Sequence, residues 1–459
     1  MNISPDIFRA YDIRGVVTDQ LTPAAVEQIG RAFGSECVQR DIPTVVVARD
    51  GRLSGPDLIA ALSRGIQSSG THVISIGMVP TPVLYFATYH LGTGTGIMVT
   101  GSHNPPEYNG LKMVLAGDAL FGEGITALYK RLTDDNLCSS GVGDFEEQDI
   151  LQDYLERITG DIKLARPMSI AYDCGNGVAG AAAPQLFDAL GCKSDALFTD
   201  VDGNFPNHHP DPAKLENLKD LIAVVRDKGH EVGLAFDGDG DRVGVVDDQG
   251  NVIWPDRQMV LFARDVLKRN PGARIIYDVK CSKILPAAIT AAGGVPDMWK
   301  TGHSFIKARI KETGAQLGGE MSGHMFFKER WYGFDDALYA AARLLEILSQ
   351  TDRSASEIFG EIPNSINTPE LNVLLDEDGA QHDFISKFIA GSSFDGAELT
   401  TIDGVRADYK DGWGLVRASN TTPSLVIRFE ADTTEAMERI QSHFRTNMQA
   451  VDSSIDLPF

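Results

Sequence analysis

The chain has little positive charge for its size. Its 459 residues include 41 Lys and Arg against 64 Asp and Glu, a net charge of −23 with neutral histidines. This balance disfavours a nucleic-acid partner, because phosphate backbones attract Lys- and Arg-rich surfaces. It also means that an anionic ligand must be gathered by a local group of basic side chains. Basic residues close to polar motifs are therefore informative in this sequence.

Long hydrophobic runs and paired cysteines are also missing. No apolar run approaches the roughly 18–20 residues that span a bilayer, and residues 1–6 lack the basic start and apolar stretch of a secretion signal. Five cysteines, without metal-type spacing, fit a reducing compartment. We expect a cytoplasmic protein with no membrane partner. Nothing in the sequence requires an oligomer, so we expect a monomer.

What the chain does have is length and a regular alternation of strand-like and helix-like runs. A chain of 459 residues is too long for one hydrophobic core. The alternation is typical of mixed α/β domains, and it is lost towards the C-terminus. The sequence predicts three similar mixed α/β domains and a smaller C-terminal α+β domain, although it shows no internal sequence repeat. The predicted domains are residues 1–148, 149–250, 251–363 and 364–459.

The C-terminal domain is predicted from two strands and an amphipathic helix. The strands are expected near residues 413–416 and 424–429. Apolar residues then repeat at helical spacing, and Asp432 and Glu435 have the positions of a capping box at the start of this helix.

A serine lies in a polar turn directly after an apolar, strand-like run. Residues 96–99 are apolar or glycine, and residues 100–105 form a turn that contains Ser102 and His103. A strand that delivers a hydroxyl into such a turn is typical of a nucleophile. A turn whose serine only caps backbone groups has the same appearance.

Three aspartates separated by glycines lie between two apolar runs. Asp237, Asp239 and Asp241 can converge on one hard cation, because glycine lets the backbone curl. An EF-hand calcium loop is disfavoured, since Arg242 stands where its sharp turn needs glycine. Magnesium fits better, because it keeps few protein carboxylates and shares a phosphate that Arg242 could hold. A solvated acidic turn is the alternative, although three such acids would repel one another.

Two later loops carry groups that suit a sugar and a phosphate. Glu320 and Ser322 could hydrogen-bond vicinal hydroxyls, and residues 300–304 open a helix whose N-terminus favours an anion. The loop between the two C-terminal strands supplies a guanidinium and three hydrogen-bonding side chains: Arg417, Ser419, Asn420 and Thr421. Each loop could instead be an ordinary polar turn. A local positive field would come from Arg14, Lys112, Arg242, Lys280 and Arg417.

These motifs as a set give the chain a resemblance to the α-D-phosphohexomutase superfamily along essentially its whole length. The four loops occur in the family's order, each in a separate domain, and three of them resemble the bacterial phosphomannomutase/phosphoglucomutase branch. The resemblance implies four domains in a heart shape, with the active site in the central cleft and a mobile fourth domain. It also implies interconversion of the 1- and 6-phosphates of mannose and glucose. That reaction passes through a phosphoserine and a 1,6-bisphosphate that reorients, and it supplies precursors of alginate and lipopolysaccharide.

The resemblance further implies roles for individual residues and two cofactors. Mg²⁺ would be held by Asp237, Asp239, Asp241 and an oxygen of phosphorylated Ser102, and glucose 1,6-bisphosphate would act as activator. The implied catalytic residues are Ser102, Arg14, His103, Lys112, Arg242, His303 and His324. The implied substrate contacts are Tyr11, Arg242, Lys280, His303, Glu320, Ser322, His324, Arg417, Ser419, Asn420 and Thr421. For proton transfer the expected groups are His303 and Lys112, with His324 as a further candidate.

Three other functions fit parts of the same pattern. Phosphoglucosamine mutases share the serine and aspartate loops, but their sugar loop typically carries Gln where this chain has Met321. A Mg²⁺-dependent phosphatase would hydrolyse the phosphoserine instead of passing it to a sugar. A non-enzymatic cation- or sugar-binding protein would leave Ser102 without a role.

Overall fold

The computed structural model describes residues 3–377, 379–420 and 422–459, and it confirms the predicted α/β architecture. The first domain contains a seven-stranded sheet with four helices. Its strands are β1 (Ile13–Val16), β2 (Thr44–Arg49), β3 (His72–Met78), β4 (Gly96–Val99), β5 (Tyr108–Leu115), β6 (Asp118–Ala119) and β7 (Phe145–Glu147). Its helices are α1 (Pro23–Gln39), α2 (Gly55–Gln67), α3 (Thr81–His90) and α4 (Glu123–Thr133).

The second and third domains have smaller sheets of five and four strands. The second comprises α5 (Leu151–Asp161), β8 (Ser169–Asp173), α6 (Ala183–Ala189), β9 (Lys193–Leu197), α7 (Lys219–Lys228), β10 (Val232–Phe236), β11 (Val243–Asp247) and β12 (Val252–Ile253). The third comprises α8 (Pro255–Arg269), β13 (Arg274–Asp278), α9 (Ile284–Ala291), β14 (Val295–Trp299), α10 (His303–Thr313), β15 (Leu317–Gly319), β16 (Met325–Phe327), α11 (Ala337–Ser349) and α12 (Ala355–Gly360).

The three sheets share a topological feature that places the candidate site. In each of them a run of parallel strands ends with a strand that pairs antiparallel with the next strand in sequence. These pairs are β4 with β5, β10 with β11, and β15 with β16. The short connection inside each pair carries the serine, the three aspartates or Glu320, respectively. All three loops therefore leave the carboxyl end of a sheet strand, where α/β proteins commonly bind ligands.

The fourth domain is an antiparallel sheet covered by two helices. It comprises β17 (Ile366–Asn367), β18 (Leu371–Leu374), α13 (Ala380–Gly391), β19 (Glu398–Thr400), β20 (Val405–Tyr409), β21 (Gly412–Ala418), β22 (Ser424–Ala431) and α14 (Thr434–Val451). The predicted capping box of α14 is wrong. The N-cap is Thr433, whose backbone is still extended and whose side chain accepts from the Ala436 amide.

The hydrophobic cores show how the domains are joined. One continuous cluster runs from the first domain through the second and third, from Val46 to Ile362, whereas the fourth domain has a cluster of its own. A small group of Val279, Trp413 and Leu415 joins the fourth domain to the third. Among the described residues, none of the helices is long and apolar enough to cross a membrane.

Candidate active site

Ser102 lies in the loop between β4 and β5, and its side chain is buried. Its φ is +49°, a left-handed conformation that costs a non-glycine residue free energy and that often marks functional sites. The Oγ atom is 3.2 Å from Nδ1 of His103 and 3.3 Å from a carboxylate oxygen of Asp237. The Ser102 amide donates to the hydroxyl of Thr100 at 2.9 Å, which holds the turn. The hydroxyl therefore faces the aspartate loop of the second domain.

The three aspartates between β10 and β11 form a fully buried cluster. Their carboxylate oxygens lie within 4.8 Å of one another. One carboxylate oxygen of Asp237 accepts the amides of Gly240, Asp241 and Arg242 at 3.0–3.1 Å, which fixes the curl of the loop. Burial and the charge of Asp241 raise the pKa of Asp237 to about 7. Ionised acids in this position need a compensating positive charge.

The same cluster has the chemistry of a divalent-cation site. One oxygen of Asp239 and one of Asp241 are buried without a hydrogen-bond partner among the described residues. Buried, unpaired carboxylate oxygens are costly, and hard cations such as Mg²⁺ prefer oxygen ligands. The three side chains predicted to bind metal therefore fit a magnesium ion.

Two cations flank the aspartates. Nζ of Lys112, on β5, lies 2.7 Å from Asp239 and 2.5 Å from Asp241. Burial acts to lower the pKa of Lys112, but these two carboxylates raise it well above its usual value. This favours Lys112 as a fixed positive charge over the proton acceptor that the sequence suggested. Arg242 contacts Asp237 at 2.9 Å through Nε and Asp211 at 3.3 Å through a terminal nitrogen.

The two histidines of the third domain lie side by side in different electrostatic surroundings. The rings of His303 and His324 are 5.6 Å apart, and both are buried. Nδ1 of His324 lies 3.0 Å from Asp335, whereas Nδ1 of His303 lies 3.1 Å from Nζ of Lys307. Burial and Lys307 hold the pKa of His303 well below its usual value. Burial also acts to lower the pKa of His324, but Asp241 and Asp335 raise it overall.

Glu320 and its neighbours connect the histidines to the sugar-loop motif. Glu320 is buried and accepts the amide of Gly302, the residue that precedes α10. Burial raises the pKa of Glu320 to about 7, against the opposing charge of His324. The Tyr11 ring meets His303 edge-on at 5.3 Å. Ser322 is half-buried in the same turn as Glu320.

The basic residues predicted to bind phosphate are each paired with an acid. Nζ of Lys280 lies 3.0 Å from Glu370, and Nε of Arg417 lies 2.9 Å from Asp403. One terminal nitrogen of Arg417 is buried without a partner among the described residues, so an edge of the guanidinium is left for a ligand.

The rest of the predicted phosphate loop follows β21, and Arg14 lies closer to the serine. Ser419 accepts a hydrogen bond from the Thr422 hydroxyl at 2.9 Å, and Asn420 is half-buried. Thr421 lies outside the described residues. Arg14, on β1, donates to Asp12 and to Asn104 of the serine loop.

Sequence reasoning missed several groups that hold this site together. They are Asp50, Arg52, Asp211, Asp335, Glu370 and Asp403, and all of them bind a predicted site residue or its loop. Asp50 and Arg52 follow a parallel strand, β2. Their position at the carboxyl end of that strand was the one sequence signal that could have identified them as site residues. The other four lie outside the loops that the sequence singled out, at separations from their partners that follow no local spacing pattern.

The fold and the site define a class: a four-domain α/β enzyme that acts on phosphate esters at a site that fits a divalent cation. Comparison with known families gives the particular one. Descriptions of phosphoglucomutase/phosphomannomutase alpha/beta/alpha domains I, II and III and of the C-terminal domain match residues 5–136, 152–250, 254–366 and 370–446. The chain belongs to the phosphoglucomutase/phosphomannomutase family. This family depends on magnesium, which agrees with the buried aspartate cluster.

Individual relatives cover almost the whole chain. A phosphomannomutase/phosphoglucomutase of Pseudomonas aeruginosa is 58% identical over 453 residues, 99% of this chain and 97% of the relative. A phosphoglucomutase of Neisseria meningitidis is 54% identical and covers 98% of each chain. The crystal structure of a phosphoglucomutase/phosphomannomutase family protein from Burkholderia thailandensis superposes with a TM-score of 0.94, at 54% identity and complete coverage of both chains.

Proposed function

We propose that this protein interconverts the 1- and 6-phosphates of mannose and glucose, with Ser102 as the carrier of the phosphoryl group. One observation carries the proposal. The Ser102 hydroxyl, the buried aspartate cluster and the cations Lys112 and Arg242 converge on one point. A phosphate monoester is inert, so its transfer needs positioning and charge neutralisation at that point. Relatives named for both sugars support the choice of substrates.

The reaction transfers a phosphoryl group from Ser102 to the sugar phosphate, and later transfers one from the bisphosphate to Ser102. The bond between Oγ and phosphorus breaks as a free hydroxyl of the sugar phosphate bonds to phosphorus, which gives a 1,6-bisphosphate. After this intermediate has reoriented, its other phosphate returns to Ser102. The three aspartates and a phosphoserine oxygen would hold Mg²⁺, which would supply positive charge at the phosphoryl oxygens. Arg242, Lys112 and Arg14 add charge from the protein, and His103 holds the Ser102 oxygen.

The sugar hydroxyl must lose a proton as it attacks, and we assign this proton to His324. Asp335 at Nδ1 favours the tautomer that carries its proton there, which leaves Nε2 free to accept. Lys307 favours a lone pair on Nδ1 of His303, so Nε2 of that ring donates to a substrate oxygen instead. A pH–rate profile tests the assignment. His324→Gln should remove its acid limb, and His303→Gln should keep it. The opposite pattern would reverse the two roles.

The sugar and phosphate contacts serve both orientations of the intermediate. Glu320 and Ser322 hold the O3 and O4 hydroxyls. The non-reacting phosphate is held by Tyr11, Lys280, Arg417, Ser419, Asn420 and Thr421. Mannose and glucose differ at C2, so a site that holds O3 and O4 accepts both. We expect their kcat/KM values to lie within about 10³-fold, or ~4 kcal/mol in transition-state free energy.

Mass mapping after incubation with glucose 1,6-bisphosphate tests the phosphoserine directly. We expect a phosphate on Ser102, activation by the bisphosphate, and no turnover by Ser102→Ala, which should still bind sugar phosphate. An unphosphorylated Ser102 in an active enzyme would overturn the proposal. Release of inorganic phosphate without dependence on the bisphosphate would identify a phosphatase. Faster turnover of glucosamine 6-phosphate than of either hexose would identify a phosphoglucosamine mutase.

The remaining proposals rest on the sequence and on its resemblance to the family. We propose domain boundaries at 148/149, 250/251 and 363/364, a monomer in the cytoplasm, and products that feed the synthesis of alginate and lipopolysaccharide.

A further inference from the structure

A single buried arginine binds several backbone carbonyls in and next to the serine loop. Arg52 lies between β2 and α2, and its side chain is 1% exposed. One terminal nitrogen donates to the carbonyls of Pro105 and Tyr108 at 2.6 and 2.9 Å. The other donates to the carbonyls of Ser102 and Asn104 at 2.8 and 2.6 Å. The guanidinium therefore binds four backbone acceptors, three in the serine loop and one at the first residue of β5.

Asp50 completes this arrangement from the same connection. Its carboxylate lies 3.3 Å from Nε of Arg52, and it accepts the hydroxyl of Thr100 at 2.7 Å and the amide of Gly101 at 3.2 Å. One ion pair thus holds the serine loop in two ways, because Arg52 donates to its carbonyls and Asp50 accepts from its hydroxyl and amide donors. Phe205 of the second domain adds a ring 5.4 Å from the guanidinium carbon.

The serine loop needs such an anchor for two reasons. Ser102 is held in a left-handed conformation, which persists only where its surroundings enforce it. Residues 105 and 106 are both prolines, which lack amide donors, so the loop has fewer backbone donors to offer its own carbonyls. A lysine could not replace the guanidinium, because an ammonium is a point charge with three donors and lacks the planar fork.

We propose that Arg52 is a positioning residue for Ser102. It fixes the serine loop through four backbone carbonyls, so that the hydroxyl stays aimed at the aspartate cluster whether or not it carries phosphate. This inference rests on the proposed role of Ser102. Among the described residues, Arg52 makes no hydrogen bond or ion pair with the Ser102 side chain or with the aspartate cluster. Its loss should therefore slow phosphoryl transfer without weakening the sugar contact at Glu320 or the phosphate contact at Arg417.

Arg52→Lys tests the inference, with Arg131→Lys as the matched control. Arg131 is also buried in the first domain and binds Glu36, Gln39 and the carbonyl of Asn136, away from the serine loop. We expect Arg52→Lys to lower kcat roughly 100-fold, the effect of misplacing a reacting group by about 1 Å, with KM changed less than about threefold. Hydrogen exchange in residues 101–108 should accelerate. Arg131→Lys should keep kcat and exchange in this segment unchanged.

Gly101→Ala disturbs the same anchor while keeping the guanidinium itself. It also tests the inference if the Arg52→Lys variant does not fold. A Cβ on Gly101 would lie 2.5 Å from Cζ and Nε of Arg52, so the guanidinium must move. We expect a similar loss of kcat. If both changes act through Arg52, their effects in the double variant should be clearly less than multiplicative.

The outcomes separate this inference from the proposed function. A folded Arg52→Lys enzyme with kcat within threefold of the wild type would overturn the positioning role, as would a fully multiplicative double variant. In both cases, wild-type Ser102 would still become phosphorylated by glucose 1,6-bisphosphate. If the active wild-type enzyme carries no phosphate on Ser102, the proposed function fails and this inference fails with it.

Discussion

The close approach of the aspartate loop to the serine loop makes Gly238 a sensitive position. It lies between the proposed metal ligands Asp237 and Asp239. A Cβ at Gly238 would be 2.4 Å from the carbonyl oxygen of Ser102, a backbone atom that cannot rotate away. Ordinary contacts begin at 3.4 Å, so Gly238→Ala must separate the two loops by about 1 Å.

A separation of this size affects the chemical step more than substrate binding. In the wild-type structure Ser102 Oγ is 3.3 Å from Asp237, and the added distance moves the proposed nucleophile away from the proposed metal ligands. Misplacement by about 1 Å can cost roughly 100-fold in rate, or about 2.7 kcal/mol in activation free energy. KM should change little, because the proposed sugar and phosphate contacts at Glu320 and Arg417 belong to other loops.

Steady-state kinetics across a Mg²⁺ titration measures this effect. Gly160→Ala is the control, since Gly160 lies on the exposed side of α5 and a Cβ there meets open space. The control should keep kcat and gain about 0.5–1 kcal/mol of stability from helix propensity. If Gly238→Ala keeps kcat within threefold and the same Mg²⁺ dependence, the reasoning from loop proximity is wrong.

Other predictions address the phosphate contact, the metal and pH. Arg417→Lys should raise KM for hexose phosphates roughly 10- to 100-fold and change kcat less, because lysine lacks the second donor of the fork. Asp241→Asn should raise the Mg²⁺ concentration for half-maximal activity at least about tenfold, and chelation should abolish wild-type activity reversibly. Burial raises the pKa of Asp336, the N-cap of α11, to about 7 from about 3.9 in an unfolded chain. The protonated carboxyl of Asp336 stabilises the fold below about pH 4, and this stabilisation is lost as pH rises through 7. Asparagine does not titrate, so Asp336→Asn should reduce the fall in melting temperature between about pH 5 and pH 8.

The parts of the site that sequence could predict are those encoded within one loop. The spacing of Asp237, Asp239 and Asp241 already placed three carboxylates on one curl, and Ser102 followed a clear strand. The four-domain architecture and the family could be predicted for the same reason, because each motif is contiguous in sequence and follows a strand. Both predictions are confirmed. Residue roles within the loops remain predictions, tested by the variants above.

The parts that sequence could not predict depend on long-range pairing. Lys112 was expected to exchange protons, and that role stays a prediction; its contact with Asp239 and Asp241, more than 120 residues away, favours a fixed positive charge instead. The capping residue of α14 was displaced by one position. Local sequence patterns predict the first residue of a helix poorly, because that residue also depends on the conformation of the preceding chain.

The equivalence of the three sheets explains why a site of this complexity can lie between domains. Each α/β domain contributes the loop between its last parallel strand and the antiparallel strand that follows, and these loops already touch one another. The amide of Val243, after the aspartate loop, donates to the carbonyl of Gly323 in the Glu320 loop at 3.3 Å, and Asp237 meets Ser102. One topological position, used three times, thus carries the proposed nucleophile, the proposed metal site and the proposed sugar contact without a detectable sequence repeat. The chemistry differs because each loop was free to change while its flanking strands kept the same geometry.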